Sequence, residues 1–386
     1  MKKLLITLCI YAFIPTVFGQ GISVKMAANN PSPRDSATRS KLLSSLNGLL
    51  NCEGIENNPF VVSEYALETS ILLDEMHNLG YSGKYHDSSF YKCSVINYSK
   101  LSDSTGIVQL SFASSIHDTT LLRGVFTLSA QQTPQQFLFY VPLKEQTQLW
   151  RKTQLDNVTI YYKKDFNKKN AKLYFQTIAR YDAKLKVPKA TMMYYCCDHF
   201  TEALKLSGID YKSDYAGYAR NGLSVKIGTR QLTVNGAYTA NFNAFDPHDL
   251  WHARLHNVVS TTIINRPVDE GTAYLYGGSW GLTWEEILQR FKTYAAAHPD
   301  ANWLALYNES KNFDDKAKFP LNVDFAINAL LVQKIENTKG FPAVLELVSC
   351  GNKQENNLNY FTALEKITGI QQEQFNTAVW ELIRTN

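Results

Sequence analysis

Asp246-Pro247-His248-Asp249-Leu250-Trp251-His252 and, further along, Val268-Asp269-Glu270-Gly271-Thr272-Ala273 decide how this chain is read. The first piece contains H-x-x-x-H. On a helix, positions i and i+4 lie on one face a turn apart, so His248 and His252 are spaced to reach a single metal ion. Glu270 follows after 17 intervening residues, enough to finish one helix, cross a loop and start a second element that supplies a third ligand. Two His and one Glu leave a fourth position open for water. Catalytic zinc sites are built that way, whereas structural ones are closed by Cys and His.

The local signals predict a helix over about 247–258. Asp246 is a good N-cap, and Pro247 suits the first helical position, where its missing N–H would go unpaired anyway. Asp249 then falls in the first turn. An acid there is favoured by the partial charge of the helix start and can bond back to the cap, so a structural and a catalytic task are both open to it. His256 extends the stripe by another four residues. At about 1.5 Å per residue it stands about 12 Å from His248, too far to share one ion, so Glu270 is the better third ligand. The plain alternative is two His packed near Trp251 and Tyr274 with no metal.

His248-Asp249-Leu250-Trp251-His252 resembles the HExxH helix of the gluzincin (peptidase MA-like) metallopeptidases. Val268–Ala273 is similar to their Glu-Gly-x-Ala element. Residue by residue, the resemblance implies that His248, His252 and Glu270 are zinc ligands. It also implies that Asp249 stands where the family has the glutamate general base, one methylene short. The strand, long helix, strands and H-x-x-x-H helix read below follow the element order of the minimal gluzincin domain, widening the resemblance to most of residues 150–386.

At 386 residues, 45% apolar and 19% charged, the chain is long and hydrophobic enough for two folded domains. Lys2 and Lys3, the apolar run Leu4–Phe18 and small Gly19 read as a signal peptide over 1–19, which implies a secreted or periplasmic protein. No later stretch is apolar enough to span a membrane. Removal of Lys2 and Lys3 takes the net charge from +4 to +2, and nothing in that balance points to nucleic acid. Five cysteines remain, Cys52, Cys93, Cys196, Cys197 and Cys350, none in C-x-x-C spacing. They are assigned to no metal; an oxidising compartment leaves room for one or two bridges, and Cys52 with Cys93 is the pair expected to share a domain.

The expected architecture is α+β. Residues 20–149 read as an N-terminal domain: a flexible polar leader to about Arg34, helices over Ser36–Leu50 and Val62–Leu79, then an antiparallel sheet of four strands, Phe90–Tyr98, Gly106–Ala113, Thr120–Leu128 and Gln136–Val141. The polar stretch 144–157 marks the boundary. Residues 150–386 read as the peptidase-like domain. Its strands are Val158–Tyr162, Ala190–Cys196, Leu223–Ile227 and Gln231–Val234, with a helix from Asp165 to Pro188 and one over His199–Leu206 capped by Asp198. A helical lobe fills about 283–386.

Gly277-Gly278-Ser279-Trp280-Gly281 matches G-x-S-x-G. A nucleophile elbow needs a strand before it and a distant His after it, yet the only downstream His is His298. A Gly-rich turn ahead of a helix capped by Thr283 and Glu286 explains the same letters. Two functional expectations follow. One is a secreted zinc peptidase domain acting on a peptide or protein substrate, with activity weak, specialised or absent because of Asp249. The other is an inactive binding protein that uses the same cleft to hold a peptide or glycan. Tyr274, a turn past Glu270, is the candidate to stabilise an oxyanion.

Overall fold

A computed structural model of the protein describes residues 21–28, 30, 33–52, 54, 56–216, 221–315, 319–354 and 356–386. The stretch read as a signal peptide, 1–19, lies outside the described residues. The fold is mixed α and β, with two mixed sheets and fourteen α-helices among the described residues. It divides into two compact units. The first takes the described residues up to Lys163 together with Met192–Ala237; the second is Lys164–Thr191 with Tyr238–Asn386.

The first unit opens with β1 (Val24–Met26), α1 (Ser36–Asn51) and α2 (Ala66–Met76), followed by β2 (Lys92–Lys100), β3 (Thr105–Ile116), β4 (Thr119–Gln132) and β5 (Phe137–Tyr140). A short α3 (Leu143–Gln146) leads to β6 (Arg151–Leu155) and β7 (Val158–Tyr162). The chain then leaves for α4 (Lys168–Lys184) of the second unit. It returns with β8 (Thr191–Cys196), α5 (Phe200–Leu206), β9 (Ile209–Lys212), β10 (Gly222–Ile227) and β11 (Arg230–Asn235).

Alternation explains the first sheet. On β3 the residues Val108, Leu110 and Phe112 are buried, and on β4 Phe126, Leu128 and Ala130, each facing one core with Leu42 and Leu46 of α1 and Leu67 and Leu72 of α2. The sheet differs from the expected four antiparallel strands. Val24–Met26, inside the stretch read as a flexible leader, pairs in parallel with β2, and β9 pairs with β4 alongside Gly124–Phe126. A three-residue strand among polar neighbours gives too little alternation to read. β9 joins a strand more than 80 residues earlier, which no local pattern reports. The second sheet runs β10-β11-β8-β7-β6, with β7 and β8 parallel and the two outer hairpins antiparallel. The polar stretch 144–157 thus holds most of α3 and all of β6, which pairs with β7, and the compact units divide elsewhere. No disulfide joins Cys52 to Cys93; Cys93, Cys196, Cys197 and Cys350 are thiols, and Cys93 points into the sheet core, 2% exposed.

The second unit is helical. After α4 come α6 (Tyr238–Ala244), α7 (Pro247–Leu255), α8 (Arg266–Gly277), α9 (Trp284–Ala297), α10 (Trp303–Asn308), α11 (Val323–Lys339), α12 (Phe341–Val348), α13 (Leu358–Thr368) and α14 (Phe375–Thr385). α4 starts later than expected, with Asn167 accepting from the Asn170 N–H, and α5 is capped by His199 rather than Asp198. α9 has the expected capping box of Thr283 and Glu286.

Two glycines set how closely α8 packs. A Cβ on Gly271 would stand 2.5 Å from Asn328 Cβ and 2.8 Å from Ala329 N, so the backbones of α8 and α11 touch there. A Cβ on Gly277 would stand 2.7 Å from His248 N and Pro247 C, so the end of α8 abuts the start of α7. Tyr181 of α4 secures the same junction, its hydroxyl lying 3.2 Å from Pro247 O and 3.0 Å from Tyr276 O.

Candidate metal centre

α7 begins as its sequence requires. Asp246 caps it by accepting from His248 N at 2.9 Å, and Pro247 takes the first turn. Its inner face holds Trp251, fully buried, whose indole N–H donates to Thr272 Oγ1 of α8 at 2.7 Å. The Thr272 hydroxyl donates in turn to Asp269 O at 2.6 Å. From α7 Arg254 reaches back to Asp182 of α4 at 2.6 Å. These contacts fix α7 against α8 and bring His248, His252 and Glu270 to one point.

The distances are 3.1 Å between His248 Nε2 and His252 Nε2, 3.3 Å from His248 Nε2 to Glu270 Oε2, and 3.7 Å from His252 Nε2 to Glu270 Oε2. Ligands at about 2.0–2.1 Å on a tetrahedral ion lie about 3.3 Å apart, so the triangle has the size of one face of such a tetrahedron.

The far nitrogens agree. His248 Nδ1 is 2.7 Å from Gly278 O, and His252 Nδ1 is 2.7 Å from Asp269 Oδ1. A carbonyl and a carboxylate only accept, so both rings carry their proton on Nδ1 and present Nε2 lone pairs to each other and to a carboxylate oxygen. Three acceptors turned on one point need a proton or a cation between them. Metal-bound His is oriented in this manner, the outer N–H given to a carbonyl or carboxylate. The donor set therefore fits a metal ion.

Without a metal, a proton fills the gap. Burial works against charge on His252, but hydrogen bonds with Asp269 and Glu270 outweigh it and push the imidazole up to about 9. Burial likewise works against the charge of Glu270. Its contacts with His248 and His252, aided by the Arg266 charge, reverse that and hold the carboxyl well below the usual carboxylate range.

Asp269, 3% exposed, was not singled out from the sequence, and neither was the part His256 plays. His256 Nε2 lies 2.9 Å from Asp269 Oδ2, so one carboxylate ties His256 to His252 of the donor triangle. These three side chains form a second group close enough to hold an ion. Their 2.7 and 2.9 Å contacts have hydrogen-bond lengths, shorter than the edge of a zinc tetrahedron, and identify the group as the support of the first. The spacing between His256 and Asp269 crosses a loop, so no helical periodicity could have revealed the pair.

Asp249 lies exposed in the first turn of α7, with no hydrogen-bond or ion-pair partner among the described residues. It does not bond back to the cap, whose side chain serves His248 N instead. Tyr274 is 2% exposed, and its hydroxyl accepts from Asn322 N at 3.4 Å; burial pushes the phenol above its usual range. Ser279 is buried in a tight turn closed on Leu282, while His298 stacks on Tyr294 and bonds its carbonyl. The parts of a serine hydrolase triad are not assembled, and α8 rather than a strand precedes the turn. No protein-family model matches the chain, and a search of the curated proteins finds no match either.

Proposed function

We propose that His248, His252 and Glu270 hold zinc and that the chain is a secreted, gluzincin-like metallopeptidase domain protein acting on peptide bonds. The observation that carries this is the donor triangle with both outer imidazole N–H groups already given away, to Gly278 O and Asp269 Oδ1. Three facing acceptors of this size suit a cation, and three protein ligands leave a fourth coordination position for water. The gluzincin architecture and the export of the chain belong to the same proposal. The order β7, α4, β8, β10, β11, α7 supports the first, and the basic, apolar start of the sequence supports the second.

Bound there, zinc would acidify a water and polarise a peptide carbonyl. The protein's own groups then have separate tasks. Asp269 and Gly278 keep the imidazoles in the ligating tautomer. Glu270 brings a negative charge that is already ionised well below neutral pH. Asp249, exposed, would take the proton of that water and pass it to the leaving amine.

Asp249 is also the observation that favours a second reading. One methylene withdraws its carboxylate by about 1 Å from the reach of a glutamate, and a misplacement of that order lowers a rate by about 100-fold. A protein that retains the metal and binds a peptide or glycan without turnover fits the same geometry.

The test is zinc content by plasma mass spectrometry on the purified mature chain, beside Glu270→Ala and His252→Ala. About one zinc per chain in the parent and loss in both variants is the expected result. A parent that takes up no zinc, even when it is supplied, overturns the metal site and the peptidase reading together.

A further inference from the structure

Arg266 opens α8 with its side chain 75% exposed, and its one partner among the described residues is Glu270 Oε1, 2.5 Å from Nη2. Glu270 itself is 7% exposed, and its other oxygen belongs to the donor triangle. The guanidinium therefore stands one carboxylate's width from the point that the three donors face. It has five N–H donors in a rigid fork, and one nitrogen is spent on Glu270.

With an ion in the triangle, the charge of Glu270 is answered by that ion, and that of Asp269 is shared between His252 and His256. Arg266 is then a surplus cation at the rim with free donors, a combination that attracts and orients an anion. Tyr274 cannot take this part, being buried with its hydroxyl turned to Asn322.

We infer that Arg266 is the anion-recognising residue of the site, its free N–H groups binding an oxyanion of the ligand, of carboxylate or hydroxamate type, beside the His248, His252 and Glu270 triangle. The inference rests on the metal reading above and extends it to ligand class. Bound oxyanions meet a two-point site, the ion and the fork; neutral ligands meet the ion alone.

The full mature chain loaded with cobalt, its stoichiometry checked first, is titrated with acetohydroxamate and separately with imidazole, following the visible absorption of the metal. A lost hydrogen bond between charged groups predicts that Arg266→Ala weakens acetohydroxamate by about ten-fold or more. Imidazole should bind as in the parent, and Arg266→Lys should recover part of the loss. Equal weakening of both probes, or of neither, overturns the inference while leaving the metal site standing. Arg266→Ala protein that no longer holds cobalt also overturns it, because the residue would then serve the metal rather than the ligand. A parent that binds no cobalt removes the metal reading and this inference with it.

Discussion

His252 Nδ1 and Asp269 Oδ1 meet at 2.7 Å, and that contact decides which nitrogen of His252 faces the donor triangle. An amide in place of the carboxylate can offer its NH2 group to Nδ1 and so favour the tautomer with its proton on Nε2, pointing at the metal position. Asp269→Asn should therefore lower zinc affinity by about 10–100-fold, the usual effect of losing an outer partner. Competition with a chromophoric chelator measures it. Unchanged affinity would show that Asp269 only packs.

The metal-free protein should lose stability as pH rises toward 9. His252 is raised from 6.5 to about 9 in the folded chain. The stabilisation from its bound proton is fully present below 6.5 and lost as pH climbs through 9. Thermal unfolding in EDTA between pH 6.5 and 9.5 should show a falling Tm that His252→Gln does not share. A parent and variant that decline in parallel would place the effect elsewhere.

A zinc ion held by the triangle would have to displace that proton. Binding at pH 7.5 should release about one proton per ion from the site. Calorimetry in buffers of different ionisation enthalpy gives the number directly, and a value near zero would mean that His252 is neutral before the metal arrives.

Gly271→Ala should destabilise the protein by about 1–3 kcal/mol, the range for overpacking a tight interior. The added methyl would stand 2.5 Å from Asn328 Cβ and meet the α11 backbone at Ala329, neither of which is a flexible side-chain tip. Urea unfolding monitored by tryptophan fluorescence checks the size. Zinc affinity should fall as well, because α8 carries Glu270.

Asp249→Glu separates the two functional readings. A gain in peptidase activity of about 100-fold on a quenched-fluorescent peptide mixture fits a competent cleft with a short base. No gain, in a variant that still holds one zinc, favours a binding protein.

The centre was legible where its signals are local. Asp246 and Pro247 announce α7, Thr283 and Glu286 announce α9, and the four-residue step from His248 to His252 gives two donors on one face. Gly271 became intelligible only with α11 in place, since the reason for a glycine there is Asn328, 57 residues away. The roles of Asp269, Arg266 and His256 are not legible in the sequence for a related cause. Each acts through a partner on the neighbouring helix or one turn along its own, and their roles depend on how α7 and α8 cross. In the first unit, helices and long strands showed in their periods, while β1 and β9 are too short to have one.

β4 has a partner on each of its two halves: β5 along Ser129–Gln132, and β9 along Gly124–Phe126. β9, β10 and β11 are made only after α4 has emerged from the ribosome. The first unit thus remains unfinished until about 75 further residues have followed Lys163, with β7 awaiting β8 and part of β4 uncovered. Open strand edges of that kind recruit other chains. Truncation at Lys163, the apparent end of the unit's first segment, should yield not a small domain but an aggregating fragment. The helical insertion makes the order of synthesis part of when the strand edges of this unit are covered.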